Sequence, residues 1–196
     1  MEPKLAPPGA GIPWPALLFC RFFVNPFVAG RDSIEEMRSR FDQIHLKIRD
    51  EFLAIPEALR EEKVLVPRQR GLEDSSRYWS AAMVLEHLEI VGTAIAAGIV
   101  ELGNDRDPGI KADTAQVKPK GIHSAEEIFV RFEKLRTNLL PNTDSSVKSF
   151  DFSRTLEHPW FGQLTARKWY WLLGIHGGIH LQQIRAIRAG LAKKVN

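Results

Sequence analysis

Six histidines hold the main chemical interest of this sequence: His45, His87, His123, His158, His176 and His180. His176 and His180 are four residues apart in a stretch with a helical pattern, so at 100° per residue they lie ~40° apart on one face. Trp169, Leu172, Leu173, Gln183 and Ile187 share that face, and Arg167, Arg185 and Arg188 occupy the reverse. Both imidazoles therefore point into a core. His87 repeats the arrangement on another helix, within a stripe of Met83, Val84, Ile90, Val91 and Ala94 that follows Ser80. Imidazole suits zinc, nickel, copper or iron, and an i,i+4 pair can grip one ion from a single rigid helix. Three protein ligands with an open position is the catalytic rather than the structural pattern. The competing reading is plainer. A lone inward histidine is usually hydrogen-bonded in the core, and the i,i+4 spacing is common by chance. The third ring favours the metal, because three buried imidazoles without an ion would each need a partner.

The remaining candidates carry less. His158 sits in His158-Pro159-Trp160-Phe161-Gly162, where it could line a site mouth but better suits stabilising a turn. His45 lies at the edge of its helix stripe and reads as a boundary residue, and His123 precedes a cap and reads as exposed. Glu86 and Glu89 flank His87 but point away from its stripe, which limits them to outer partners of a ligand. Cys20 has no electropositive neighbour beyond Arg21 and is a poor nucleophile. Ala94 and Gly98 continue the His87 face with small side chains, leaving room for a substrate or permitting close helix packing. Gly174, Gly177 and Gly178 make a bare strip on the last helix, against which the N-terminal arm or a partner subunit is expected to pack.

The elements that must position these groups follow from proline placement and periodicity. Six of the 12 prolines fall in the first 26 residues, which predicts a non-helical, Pro-rich apolar arm over residues 1–32. Arg21 interrupts its apolar run and Pro13 and Pro15 precede it, so an arm is expected rather than a signal or transit peptide. Ser33 with Glu36, and Ser124 with Glu127, have capping-box spacing and start the first and third helices. The second runs from about Ser80 to Leu102 and the fourth from Thr165 to about Gly190. Strand signals are short, at 64–66 and 150–152. Residues 33–196 are thus expected to form one all-α four-helix bundle domain, with connections at 56–76, 103–123 and 140–164, the last two long for a bundle.

Composition narrows the function. The chain has 196 residues, enough for one core. A net charge of +3, dispersed along it, argues against nucleic acid and anionic membrane as partners. The most continuous apolar stretch, 90–100, is too short to cross a bilayer. One cysteine excludes an intrachain disulfide framework and suits a cytoplasmic location.

Two segments resemble the DinB-like (DinB/YfiT) superfamily of metal-binding four-helix bundles. One is Trp79-Ser80 with Val84-Leu85-Glu86-His87-Leu88. The other runs from His158-Pro159-Trp160-Phe161-Gly162-Gln163-Leu164-Thr165-Ala166 to Trp169, Leu173, His176, His180, Gln183 and Ile184. The likeness spans roughly residues 33–190. It implies that His87, His176 and His180 bind one divalent ion, commonly zinc or nickel. Characterised relatives include S-transferases using bacillithiol or mycothiol and a maleylpyruvate isomerase. The arm and the long connection before the last helix depart from the minimal family pattern.

The reading is a metal-dependent enzyme that activates water or a low-molecular-weight thiol against a small-molecule substrate, as a hydrolase or thiol S-transferase. No carboxylate can be assigned as its general base. The alternatives are a non-catalytic, stress-associated metal-binding protein and a metal-free helical interaction protein. The apolar arm is consistent with a homodimer.

Overall fold

The computed structural model describes residues 3–195; Met1 and Glu2 of the arm, and Asn196 at the end of the domain, lie outside them. Four long helices dominate: α2 (Ile34–Leu53), α3 (Ala81–Leu102), α4 (Ala125–Ser146) and α5 (Ala166–Val195). A shorter α1 (Trp14–Phe19) precedes them and runs on through a π-helical turn at Cys20–Val24 and one last turn at Asn25–Phe27. Within the bundle, α2 packs on α5, α3 packs on α4, and α3 also lies against α5.

The helix starts follow the sequence. Ser33 and Ser124 accept from the backbone N–H of Glu36 and Glu127, and each glutamate reaches back to its serine's N–H. Ser80 caps α3 by accepting from the Met83 N–H. Apolar stripes then form two linked cores. One gathers Phe52, Ile55, Leu85, Phe132 and Ile184; the other gathers Phe41, Ile99, Leu102, Leu140 and Tyr170. By length and composition alone α3 could cross a membrane, which the 90–100 stretch by itself would not suggest. It is instead the core helix of the bundle, with Glu86 and His87 buried in it.

Two small antiparallel sheets fill the connections. β1 (Val64–Leu65) pairs with β2 (Tyr78–Trp79), and β3 (Leu156–His158) pairs with β4 (Gly162–Leu164). The expected strand at 150–152 is absent; Phe150 instead packs edge-on against Tyr170 at 5.0 Å.

Three further expectations need correction. The arm is helical over Trp14–Phe27, because Pro13 stands at the N-cap and Pro15 and Pro26 occupy first-turn positions, where no N–H is required. Helix α4 continues through Pro141 to Ser146. Buried Leu140 and Thr143 hold its last turn, and Arg38 of α2 binds Asp144 at 2.7 Å. Helix α5 passes Gly190, which is no C-cap. A Cβ there would stand 2.6 Å from Val64 Cγ1, so the glycine admits β1 against the helix.

The glycine strip has a different neighbour from the one expected. A Cβ on Gly174 would lie 3.2 Å from Arg40 Cδ, and one on Gly177 would lie 3.0 Å from His45 Cε1 and 3.1 Å from Ile44 Cγ2. Helix α2, not the arm or a partner, fills the strip. His45 is accordingly a core residue rather than a boundary one, 2% exposed, stacked on Phe41 at 3.7 Å between ring centres and bonded through Nδ1 to the Phe41 carbonyl. The arm lies elsewhere. Arg21 donates to the Pro159 carbonyl and Asn25 to those of Phe161 and Gln163, while Phe22, Phe23 and Phe27 stay exposed.

Alanine at these two glycines should separate helix propensity from packing. Gly174→Ala meets a flexible arginine stem, so the gain of up to about 1 kcal/mol in helix propensity is expected to raise the melting temperature. Gly177→Ala drives a methyl into the buried His45 ring and is expected to lower it. Equal shifts of the same sign in thermal unfolding would contradict this packing.

Candidate metal centre

The β1–β2 pairing sets Trp79 beside the bundle axis, where its ring lies parallel to that of His180 at 6.1 Å and tilted over that of His87 at 5.0 Å. His87 comes from the second turn of α3, and His176 and His180 come from α5. The three rings converge. His176 Nε2 lies 3.2 Å from His87 Nε2 and 3.2 Å from His180 Nε2, and all three atoms fall within 4.8 Å of one another. His87 and His180 are buried, while His176 keeps partial exposure toward a cavity.

Outer hydrogen bonds fix which nitrogen faces inward. His87 Nδ1 lies 2.7 Å from the Val117 carbonyl, which can only accept, so the proton is on Nδ1 and the Nε2 lone pair turns to the cluster. Gln183 gives its amide NH2 to the Ser76 carbonyl at 2.7 Å, which leaves Oε1 facing His180 Nδ1, also at 2.7 Å. His180 Nδ1 therefore donates as well, and its Nε2 is likewise bare. Neutral His176 has at most one Nε2 proton to offer two lone pairs. One of the two 3.2 Å contacts is then lone pair against lone pair. A divalent cation removes that conflict. With Zn–N near 2.0–2.1 Å, tetrahedral ligands stand about 3.3 Å apart, close to the spacing seen.

The connection that supplies the Val117 carbonyl is itself clamped. Glu86 accepts from the backbone N–H groups of Lys120 and Gly121 at 3.0 and 2.8 Å. Lys118 binds Glu73 at 2.5 Å and the Ser76 hydroxyl at 2.8 Å. Burial alone would push the Glu73 carboxyl up, but Lys118, together with hydrogen bonds from Ser75 and Thr114, outweighs it and holds the carboxyl below its ordinary value. Glu86 thus serves His87 through the connection rather than by touching the ring. Glu89 instead pairs with Arg131 on the surface between α3 and α4.

The other histidines stand apart from the cluster. His158 Nδ1 accepts from the N–H groups of Trp160 and Phe161 at 3.0 and 3.3 Å, closing the β3–β4 turn while its ring lines the cavity. His123 is a surface partner of Arg131 and Glu127. Ala94 opens onto the cavity as expected of a substrate pocket, whereas a Cβ on Gly98 would meet Leu156 at 3.3 Å, so that glycine serves packing. Cys20 also lines the cavity, with its thiol pushed up by burial. Sequence reasoning gave no role to Ser76, Val117, Glu73 or Lys118. The i,i+3 spacing of His180 and Gln183 was the one local signal among these outer groups.

No family model matches the chain. Over 148 residues it is 26% identical to the uncharacterized protein YuaE of Bacillus subtilis (strain 168), covering 67% of this chain and 91% of that one. Its fold is similar to that of TT2238, a four-helix bundle protein of known crystal structure. The TM-score is 0.55 at 19% identity, covering 79% of this chain and 99% of the other. The fold is a four-helix bundle. At that identity the likeness carries the architecture and no chemistry.

Two outcomes follow from the outer bonds and from burial. Gln183→Leu strands the His180 N–H and the Ser76 carbonyl, and should lower stability by about 1–3 kcal/mol in denaturant unfolding; an unchanged midpoint would contradict the bond. Burial also depresses the basicity of all three cluster rings, with His180 lowered to about 4, and does the same to His45 and His158, both to about 4. The unfolded chain, titrating near 6.5, then binds more protons between pH 6.5 and about 4. Stability of chelator-treated protein should accordingly fall as pH drops through that window. A melting temperature that stays level from pH 6.5 to 4.5 would count against neutral buried rings.

Proposed function

We propose that this chain is a divalent-metal-dependent enzyme of the DinB-like type, with His87, His176 and His180 holding one ion through Nε2. The observation that carries the reading is the pair of 3.2 Å Nε2 contacts, which neutral rings with the assigned outer bonds cannot both satisfy. The donor set, three imidazoles with no thiolate or carboxylate, suits zinc or nickel. When bound, such an ion lowers the pKa of a coordinated water toward ~7 and favours thiolate over thiol. The chain's own contribution is to orient the rings. Val117 and Gln183 fix the two tautomers, Trp79 walls the cluster, and α3 and α5 carry the ligands on rigid elements.

The reading as an enzyme of hydrolase or thiol-transferase type is supported by access. A structural ion calls for a closed shell of four protein ligands. Here three donors gather, and His176 borders a cavity of about 1500 Å³. A cytoplasmic location belongs to the same reading, supported by the absence of any second cysteine to pair with Cys20.

Elemental analysis of untagged protein, purified without a nickel column, should give one zinc or nickel per chain. His176→Ala and His180→Ala should each lose it and melt lower than wild type in metal-containing buffer. Full retention of the ion by the double variant would refute the assignment.

A further inference from the structure

The cavity in front of the cluster has a definite chemical character. Its inner wall is built by Val91 and Ile95 of α3, Leu156 and Phe161 of the β3–β4 hairpin, and Trp169 and Leu172 of α5. Polar side chains do line it, but many of their hydrogen bonds are already made within the protein. Lys118 is held by Glu73 and Ser76, and Thr114 also donates to Glu73. Arg77 binds Asp74 and the Val66 carbonyl, while Gln116 donates to Asp113. His87 and His180 spend Nδ1 on Val117 and Gln183, and His158 spends its own on the turn. Among the described residues few groups remain for a ligand. They include the His158 Nε2–H, His176 Nδ1 and Gln116 Oε1, and three exposed cations, Arg68, Arg70 and Lys111.

Such a wall discriminates strongly. A polyol or peptide body entering it would lose water from many hydroxyl or amide groups and find almost no partners, which is costly. An apolar body loses nothing and gains burial. We infer that the cavity takes an alkyl or aryl molecule whose single polar group is a small anionic, metal-binding head directed at the three-histidine centre. The inference rests on the metal reading for its head and on the cavity wall alone for its body. Arg70 and Lys111 at the rim favour approach of an anion, and the volume of about 1500 Å³ exceeds the usual range for small-ligand sites, so a long or multi-ring body fits.

Four probes separate head from body: naphthalene-2-thiol, 2-naphthoate, 1-thioglucose and glutathione, each titrated calorimetrically into full-length protein loaded with zinc. The better naphthyl probe should bind at least tenfold more tightly than either polar thiol, and comparison of the two naphthyl probes tells a thiolate head from a carboxylate. If 1-thioglucose or glutathione binds as tightly as both naphthyl probes, the inference is overturned. Ala94 is exposed to the cavity rather than packed in the core, so Ala94→Trp can narrow the pocket without disturbing the fold. It should weaken naphthyl binding at least tenfold with zinc content unchanged; undiminished affinity at wild-type zinc content also overturns the inference. Ala16→Trp on the arm side repeats the test if the first variant does not fold. Should the wild-type chain bind no zinc, the metal reading fails. The apolar body is then tested separately, because metal-free protein must still prefer naphthyl probes over the polar thiols.

Discussion

Three imidazole Nε2 atoms crowded together, with that of His176 3.2 Å from each of the other two, are the feature on which the rest of this structure turns. Left to themselves, buried imidazoles rotate or exchange tautomers until each ring nitrogen has a partner. Here that escape is closed for two of the three. The Val117 carbonyl and the Gln183 amide oxygen each claim an Nδ1 proton at 2.7 Å, and Gln183 cannot flip without abandoning the Ser76 carbonyl. Desolvation, and the mutual repulsion that any protonated ring would meet, hold His87 and His176 well below ordinary histidine basicity. A positive charge is thus wanted at the centre, yet the rings are poorly suited to supply it as protons.

The bundle meets that demand by dividing labour. Rigid helices present the ligands, and connections impose their orientation. His176 and His180 share one face of α5, and α5 is held from behind by α2, which approaches closely enough that a Cβ on Gly177 would press on the His45 ring and the Ile44 side chain. His45 belongs to this backing. It stacks between Phe41 and Phe132, and its ring presses on the turn of α5 that carries His176. On the other side, the 103–123 connection is pinned by Glu86 and by Lys118, so the carbonyl that orients His87 is itself anchored at two points. Loss of either clamp loosens a ligand without touching it.

How much of this could be read beforehand depends on the range of each interaction. Capping boxes at Ser33 and Ser124 act over three residues, and the stripes of the four long helices over one turn, so both were legible. The inward aim of His87, His176 and His180 followed from the same periodicity. Proline was misleading at Pro13, Pro15, Pro26 and Pro141. Its ring removes only an N–H, which the first turn of a helix does not use, and a long helix well tethered by tertiary contacts can spare one. The Gly174–Gly177–Gly178 strip announced close approach and Gly190 read as a helix end, but which element approaches, α2 in one case and β1 in the other, is a matter of topology. The acceptors for the Nδ1 protons were the least legible of all. A backbone carbonyl thirty residues from His87 leaves no mark on residue type.

That same division bears on how chemistry could change while the fold does not. The ligand geometry is set by α3 and α5, whose packing is dictated by the core, and a bundle 19% identical in sequence keeps the same architecture. The cavity wall takes Val91 and Ile95 from α3 and Trp169 and Leu172 from α5, but the rest of it is drawn from other parts. The β3–β4 hairpin supplies Leu156 and Phe161, the 103–123 connection supplies Ala112 and Val117, and the arm supplies Ile12, Ala16 and Phe19. Connections tolerate substitution and insertion because few core contacts depend on them. What reaches the three imidazoles is therefore governed in part by segments that the helical core does not constrain. The hydrogen-bonding capacity of those segments, largely spent within the protein here, sets the kind of molecule that can approach.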